Sequence, residues 1–200
     1  MREFILRARK ARTDHHWNLD DLPAAGRIEI VCACVMNALY VSNKMRTDTK
    51  IHIVLDGPPT PPKIVTFDGS KLVGMNYHER AIAQMLQEVL KATRLIQSEE
   101  IVEPHAGITV QKKSFESLVR EFCEAGKQVL YLDPDGKDVR EIKFKDEVVF
   151  VFGDYIGMPA KSEKLLDRIG AKSVTLGRVT LFASQCVTIA NNEMDRFFYK

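Results

Sequence analysis

The stretch Val148–Pro159, VVFVFGDYIGMP, decides the fold, because an unbroken apolar run ends at Gly153. The stretch Ser173–Phe182, SVTLGRVTLF, has the same arrangement, with Gly177 after a short strand pattern and a long helical pattern behind it. Continuous apolar runs are typical of strands buried on both faces, as in a parallel sheet. We therefore predict an α/β fold with a mostly parallel sheet and helices on both faces. Ligands bind beyond the carboxyl ends of such strands, so both glycines mark the predicted site.

Composition limits the class of protein without selecting a function. The 200 residues are 45% hydrophobic and 28% charged, which is enough for one sizeable core. The net charge of +2 is too small to require a nucleic-acid partner by itself. No stretch approaches the ~18 consecutive apolar residues of a membrane span, and the amino end is typical of a strand rather than a signal peptide. We therefore expect a cytoplasmic protein with no membrane partner.

The four cysteines favour neither a metal site nor a disulfide framework. They form no C-x-x-C pair, and Cys32 and Cys34 lie two apart in a helical pattern, so they face different sides. We expect no metal. Cys32, Cys34 and Cys123 are expected to be small buried hydrophobic side chains in a reducing compartment.

Three local patterns predict elements that bear on the site. Apolar residues at helical spacing predict one helix from Leu22 to Asn43. A glycine turn predicts a hairpin between Lys63–Phe67 and Lys71–Met75. Asn76, three residues before Glu79, predicts a capping box at the start of the next helix.

A basic, polar stretch follows the first predicted strand, Glu3–Ala8. It contains three cations, two histidines and the single tryptophan, namely Arg9, Lys10, Arg12, His15, His16 and Trp17. Cations attract phosphate and aromatic rings stack on unpaired bases, so this composition is typical of a flexible RNA-contacting loop. The alternative is a solvated loop with Trp17 packed beneath it.

Motifs spread over the chain carry a resemblance to a known class. FGDYIGMP at 152–159 and LGRVTLFASQCVTIANNEMDR at 176–196 are similar to the carboxyl-terminal motifs of the SPOUT class of RNA methyltransferases. With MREFILRA at 1–8 and GPPTPP at 57–62, the chain resembles the archaeal tRNA (pseudouridine-54 N1)-methyltransferase family, TrmY. The similarity runs nearly end to end.

This resemblance implies one SPOUT domain over 1–200, with a trefoil knot and the cofactor pocket at about 128–200. It implies a homodimer that transfers a methyl group from S-adenosylmethionine to N1 of pseudouridine 54 in tRNA. Two alternatives stay open: methylation of a pseudouridine in ribosomal RNA, and a non-catalytic RNA-binding protein. A dinucleotide-binding oxidoreductase is disfavoured because no G-x-G-x-x-G occurs.

The resemblance assigns the cofactor to three strand ends and to the start of the last helix. Main-chain groups on rigid loops can recognise adenine edges while two leucines cover its faces. The implied residues are Leu132, Gly153, Leu176, Gly177, Arg178, Val179, Thr180, Leu181 and Cys186. A branched residue at Gly153 is expected to abolish cofactor binding and to spare the fold. A helix amino end tends to lower a thiol pKa, so a methylated Cys186 is an alternative, but the resemblance implies direct transfer.

Methylation at N1 requires loss of a proton from pseudouridine, and a nearby carboxylate can assist this loss. Asp154, beside the first glycine, is the first candidate, and Glu79 is the second. Asp154 could instead accept bonds from neighbouring amides, and Glu79 could instead cap its helix. The chain has Tyr77-His78 where the family has Pro-Asp, which puts a base at position 78 in doubt.

Cations near the predicted site are candidates for RNA phosphate contacts, although each could be an ordinary surface charge. They are Arg7, Arg9, Lys10, Arg12, Arg80 and Arg178. On the last predicted helix, Asn191, Asp195 and Arg196 could contact either RNA or a second copy of the chain.

Apolar residues after the two glycine loops predict a homodimer, because a monomer would leave them partly uncovered. These residues are Phe182, Val187, Phe197 and Phe198.

Overall fold

The structure is a computed structural model that describes residues 1–98 and 100–199. Glu99 and Lys200, which the predicted domain 1–200 includes, lie outside these residues. Within them, the strands are β1 (Arg2–Ala8), β2 (Tyr40–Val41), β3 (Lys44–Met45), β4 (Thr49–Leu55), β5 (Lys63–Asp68), β6 (Ile101–His105), β7 (Ile108–Gln111), β8 (Gln128–Asp138), β9 (Val148–Gly153) and β10 (Lys172–Thr175). The helices are α1 (Ile28–Leu39), α2 (Glu79–Ala92), α3 (Phe115–Glu124), α4 (Ala160–Arg168) and α5 (Ala183–Phe198).

The main sheet of the described chain has the strand order β10-β8-β9-β1-β4-β5-β7-β6. From β10 to β4 all neighbours are parallel, as the apolar runs predict. From β4 to β6 the neighbours are antiparallel, an edge that the sequence patterns did not reveal. β2 and β3 form a separate ribbon.

The predicted hairpin between Lys63–Phe67 and Lys71–Met75 is wrong. β5 pairs with β4 and β7, and the segment after it forms no strand. Leu72 and Met75 are buried in the core instead of alternating along a ladder. Their apolar side chains are therefore a packing signal that resembles a strand pattern.

Helices cover both faces of the sheet, as predicted. Phe4 and Leu6 of β1 belong to the core that includes buried residues of α1, α2 and α5. Ile5, between them, belongs to the core that α3 and α4 cover on the opposite face. The period-two alternation of β1 thus divides its side chains between two cores.

The predicted helix Leu22–Asn43 is two elements. Pro23–Ala25 forms a short 3₁₀ helix, and α1 begins only at Ile28. Between them Gly26 and Arg27 have positive φ angles of 78° and 70°. Left-handed residues end one helix and redirect the chain into the next.

The capping box predicted for Asn76 and Glu79 is also wrong. His78 is the cap of α2, because its Nδ1 accepts a hydrogen bond of 3.2 Å from the backbone N–H of Ala81. His78 has extended backbone geometry, which suits the position before the first helical residue.

A buried ion network fastens α5 to the first strand. Arg2, with 2% of its side chain exposed, donates to Asp195 at 2.6 Å and to the side chain of Asn191 at 3.2 Å. Arg46 also donates to Asp195, at 2.9 and 2.5 Å. Asn191 in turn donates to the backbone oxygen of Asn37 on α1. Asn191 and Asp195 therefore hold α5 in place within one chain, which corrects the prediction of RNA or dimer contacts.

No helix in the described ranges has the length and apolar character needed to cross a membrane.

Candidate active site

A cavity of about 860 Å³ lies at the carboxyl ends of β8, β9 and β10. The starts of α1, α2 and α5 contribute its other walls. Ligand pockets in proteins measure about 300–1,000 Å³, so the volume suits a cofactor. All nine residues predicted to bind the cofactor line this cavity, and both predicted catalytic residues, Asp154 and Glu79, line it too. The structure therefore brings the two predicted sets together in one place.

Leu132 reaches the cavity because β8 leaves its ladder with β10. Ser173 pairs with Tyr131, but the next residue, Val174, pairs with Lys137. Residues 132–136 therefore lie outside the regular pairing, although the strand runs on beyond the predicted end at Leu132. This excursion carries the predicted adenine-covering leucine to the cavity wall.

Asp154 organises the loop after β9. Its Oδ2 accepts a hydrogen bond of 2.7 Å from the backbone N–H of Arg9, and its Oδ1 accepts one of 2.9 Å from Ile156. Both carboxylate oxygens are thus engaged by amides. At Gly153 an added Cβ atom would lie 2.6 Å from the carbonyl carbon of Gly157. A branched residue there would displace the loop itself, so Gly153→Val would disturb the cofactor site by moving this loop.

The loop after β10 presents unused backbone donors to the cavity. Gly177 has a φ angle of 136°, and Thr175 Oγ1 both accepts from its N–H and donates to its carbonyl. The backbone N–H groups of Arg178–Leu181 donate to no acceptor in the described part of the chain. A ligand with several acceptor atoms can take up such donors.

Cys186 lies in the first turn of α5, on the cavity wall. Burial raises the pKa of its thiol, despite a helix amino end that would lower it. The protonated thiol is a poor nucleophile, so the geometry agrees with a wall residue better than with a methylated intermediate.

The start of α1 forms a wall that the sequence patterns missed. Arg27 places its guanidinium carbon 4.9 Å from the ring centre of Tyr155, across the cavity, and its Nε donates to Glu29 Oε1. Glu29 Oε2 is shielded from solvent and has no hydrogen-bond partner among the described residues. A buried carboxylate oxygen without a partner is costly, which is typical of a functional site. Gly26 before Arg27 was the available signal for a helix start here.

Five carboxylates line the cavity, and three of them, Asp154, Glu79 and Glu29, differ in their hydrogen bonding. Asp154 is engaged by amides, and Glu79 is exposed in the first turn of α2. Glu29 alone combines a firmly held oxygen with a buried free one.

Five of the six predicted RNA-binding cations fall into three groups. Arg178 is exposed at the cavity, and Lys10 is exposed on the loop after β1. Arg12 pairs with Asp14 at 2.6 Å, and Arg80 pairs with Asp20. Arg9, half-buried, provides the backbone N–H that fixes Asp154.

Arg7 lies on the other face of the sheet from the cavity wall formed by α1. It is 14% exposed, pairs with Asp56 at 2.7 Å and with Glu116 at 3.0 Å, and lies over the ring of Phe115. These contacts join β1 to α3, so Arg7 has a structural task in place of the predicted phosphate contact.

The loop after β1 is fixed in position. Gly57 N–H donates to the oxygen of Ala11, and Arg12 N–H donates to that of Ala25. A Cβ atom at Gly26 would overlap the oxygen of Lys10, so the loop is wedged against its neighbours. This finding corrects the prediction of a flexible loop. Trp17 packs beneath it against the core, the alternative stated for that residue.

Within the described residues, no group of three or more His, Cys, Asp or Glu side chains could hold a metal ion. Burial raises the pKa of the Cys32 and Cys34 thiols, which are packed in the core as expected.

A parallel sheet with its cavity at the strand ends, formed largely by glycine loops, defines a class of cofactor-binding α/β proteins. A family model described as "Putative SAM-dependent RNA methyltransferase" matches residues 1–198 of the chain. A tRNA (pseudouridine(54)-N(1))-methyltransferase of Methanococcoides burtonii is 35% identical over 198 residues, with 98% of this chain and 96% of the relative covered. A protein of Alcanivorax borkumensis named "Putative pseudouridine methyltransferase" is 36% identical over 196 residues, with 98% of both chains covered.

The chain therefore belongs to this family of S-adenosylmethionine-dependent RNA methyltransferases, as the resemblance predicts. Its cofactor is S-adenosylmethionine. The fold is also similar to that of Archaeoglobus fulgidus Nep1, crystallised with S-adenosylhomocysteine. That likeness has a TM-score of 0.60 at 14% identity and covers 98% of this chain and 97% of the other.

Proposed function

We propose that this chain methylates N1 of pseudouridine 54 in tRNA, with S-adenosylmethionine as the methyl donor. The observation that carries the proposal is the single cavity that collects all nine cofactor residues implied by the family motifs. The relative from Methanococcoides burtonii has this activity in its name and aligns with the chain along nearly its whole length.

Pseudouridine suits this chemistry because it is joined to ribose through carbon. Its N1 carries a hydrogen, whereas N1 of uridine is bonded to the sugar. S-adenosylmethionine supplies an electrophilic methyl group, and the protein mainly has to align N1 with it. Pseudouridylation must therefore precede methylation.

The cofactor is proposed to bind through backbone groups. The free N–H groups of Arg178–Leu181 would donate to it, and Gly177 keeps that loop open. Leu132 and Leu176, both packed on the core, would cover the two faces of the adenine. Cys186 completes the wall as a neutral thiol.

Glu29 is proposed as the acceptor of the N1 proton. Glu29 lines the cavity, its buried Oε2 has no hydrogen-bond partner among the described residues, and Arg27 donates to the other oxygen. Asp154 then positions the loop after β9, and Glu79 remains a second candidate at the mouth of the cavity. A positioned general base accelerates proton transfer by about 10²–10⁴-fold.

The target loop of the RNA is proposed to contact Arg9, Lys10 and Arg178. Arg80 can join this surface by exchanging Asp20 for phosphate, at a small cost because exposed ion pairs contribute little. Arg12 would have to give up a partly buried pair with two hydrogen bonds to Asp14.

A homodimer and a carboxyl-terminal trefoil knot at about 128–200 complete the proposal. Val179 and Phe182 are 72% and 78% exposed beside the cavity, and Phe198 is partly exposed, which supports a covering partner. Val187 is fully buried, so it does not belong to the predicted interface, whereas Phe197 is partly buried against Phe144 and stays in it. β10 pairs with β8 and not with β9, the strand that precedes it in the chain, and this strand order supports the proposed knot. With a tRNA substrate we expect the protein to work in the cytoplasm.

The proposal is tested by incubating the protein and S-adenosylmethionine with matched tRNA transcripts that carry uridine or pseudouridine at position 54. Mass spectrometry of the digested RNA should find one methyl group, at N1 of pseudouridine 54. A pseudouridine-containing ribosomal RNA fragment serves as the control for the alternative target. Methylation of the uridine transcript would refute the proposed chemistry, and methylation of the ribosomal fragment alone would refute the proposed substrate.

A further inference from the structure

We infer that His15, His16, Lys91 and Arg94, here called the His15 cluster, form a second RNA-binding surface for phosphates outside the loop that carries the target nucleotide. The inference rests on the proposed function and concerns how much of the RNA the protein holds. The cluster joins the loop after β1 to the carboxyl-terminal end of α2.

The four side chains lie close together. The rings of His15 and His16 are stacked with centroids 4.0 Å apart. Burial lowers the pKa of His15, the charges of His16, Lys91 and Arg94 lower it further, and Asp14 raises it. The positive charges of Lys91 and Arg94 therefore act on the histidine pair, and a bound anion would relieve this repulsion.

The cluster is held on a fixed base. Gln87 of α2 donates from its amide to the carbonyl oxygens of His15 and Trp17, at 3.0 and 2.8 Å. Lys63, which is 2% exposed, donates to the carbonyls of Thr13 at 3.0 Å and Thr93 at 3.4 Å. These bonds hold the backbone of the loop against the end of α2. The two parts of the cluster are therefore in place before RNA binds.

Within the described residues, the nearby carboxylates form no ion pair with Lys91 or Arg94. Asp14 accepts both of its hydrogen bonds from Arg12, and Glu88 accepts one from Gln84. Between residues 1–98 and 100–199 no ion pair involves Lys91 or Arg94, and both are exposed. Their charges are therefore available to phosphate, unlike those of Arg12 and Arg80.

The position of the cluster decides which part of the RNA it meets. Glu79, at the cavity, and Lys91 are separated by nearly the whole of α2. Twelve residues of helix rise about 18 Å, too far for the nucleotide that occupies the cavity. The occupant we assign is the phosphate backbone of the flanking RNA.

The test compares the double variant Lys91→Ala/Arg94→Ala with a matched control on the opposite face, Lys164→Ala/Arg168→Ala in α4. Binding to full-length tRNA and to a short hairpin with only the target loop is measured over a range of salt concentrations. Each lost phosphate contact lowers the slope of log affinity against log salt by about 0.7–0.9. We expect the double variant to lose about one to two units of slope on full-length tRNA only. Methylation of the hairpin should be unchanged.

Unchanged slope in the double variant, or an equal loss in the control, would refute the second surface. An equal loss on the hairpin would refute its location away from the target loop. If wild-type protein methylates no tRNA but the double variant alone still loses slope, the surface stands and the proposed function fails.

Discussion

At the scale of single residues, Glu29 is the proposed acceptor of the N1 proton. We expect Glu29→Gln to lower the single-turnover methylation rate by about 100-fold or more, because the amide keeps the shape and removes the proton acceptor. Affinity for S-adenosylmethionine should change little. Raising the pH should restore much of the rate, since the imide-like N1–H then ionises without a base. Rapid-quench assays with pseudouridine-containing tRNA across a pH series measure both effects.

Asp154→Asn is the matched control for Glu29→Gln, because it is the same change on the same cavity. The amide can accept only one of the two backbone hydrogen bonds that hold the loop, so cofactor affinity should fall more than the rate at saturating cofactor. The reverse result, a 100-fold rate loss in Asp154→Asn alone, would identify Asp154 and not Glu29 as the acceptor of the N1 proton.

At the scale of elements, the excursion of β8 depends on Gly136. A Cβ atom there would lie 2.5 Å from the backbone nitrogen of Val174, so β8 and β10 approach each other only because this residue is glycine. We expect Gly136→Ala to destabilise the protein by about 2–3 kcal/mol and to weaken cofactor binding, because the loop after β10 must move. Urea unfolding and calorimetric titration measure the two effects.

Gly126→Ala separates close approach from backbone strain. Gly126 has a φ angle of 78° and open space around it, so only the left-handed conformation resists alanine. A loss of about 1 kcal/mol with normal cofactor affinity is expected. If Gly136→Ala behaves in the same way, the contact between β8 and β10 does not shape the site.

The elements differ in how far the sequence could predict them. β1, β9 and α5 have strong local patterns in the sequence. The motifs after β9 and before α5 correctly predicted residues that line the cavity. The antiparallel edge β5-β7-β6 could not be predicted, because pairing between distant strands leaves little local signal. The place of Arg27 and Glu29 at the start of a helix could not be predicted. The apolar periodicity of α1 continues back through the 3₁₀ helix, so the two elements look like one helix in the sequence. The cap at His78 was missed since histidine is an uncommon cap, whereas Asn76 is a favoured residue type.

At the scale of the whole molecule, the apolar side chains beside the cavity predict the state of assembly. Light scattering at micromolar concentration should give the mass of a dimer for the wild type and of a monomer for Phe182→Glu, because a charge at the centre of an apolar interface is costly to bury. Leu95→Glu is the matched control, since Leu95 is 74% exposed and lies beyond the end of α2. A monomeric wild type would contradict the dimer.

The bond between Arg2 and Asp195 also sets the order of events during synthesis. The partners are 193 positions apart, so the first strand leaves the ribosome long before the last helix exists. A ribosome adds about 5–20 residues per second, and for nearly that whole time the guanidinium of Arg2 has no carboxylate from α5. The contacts that hold α5 to β1 can therefore form only after residue 195 has been synthesised. A chain that ends before Asp195 would keep Asp48 as the carboxylate partner of the buried Arg2, at 2.9 Å, but would lose the contacts that join β1 to α5.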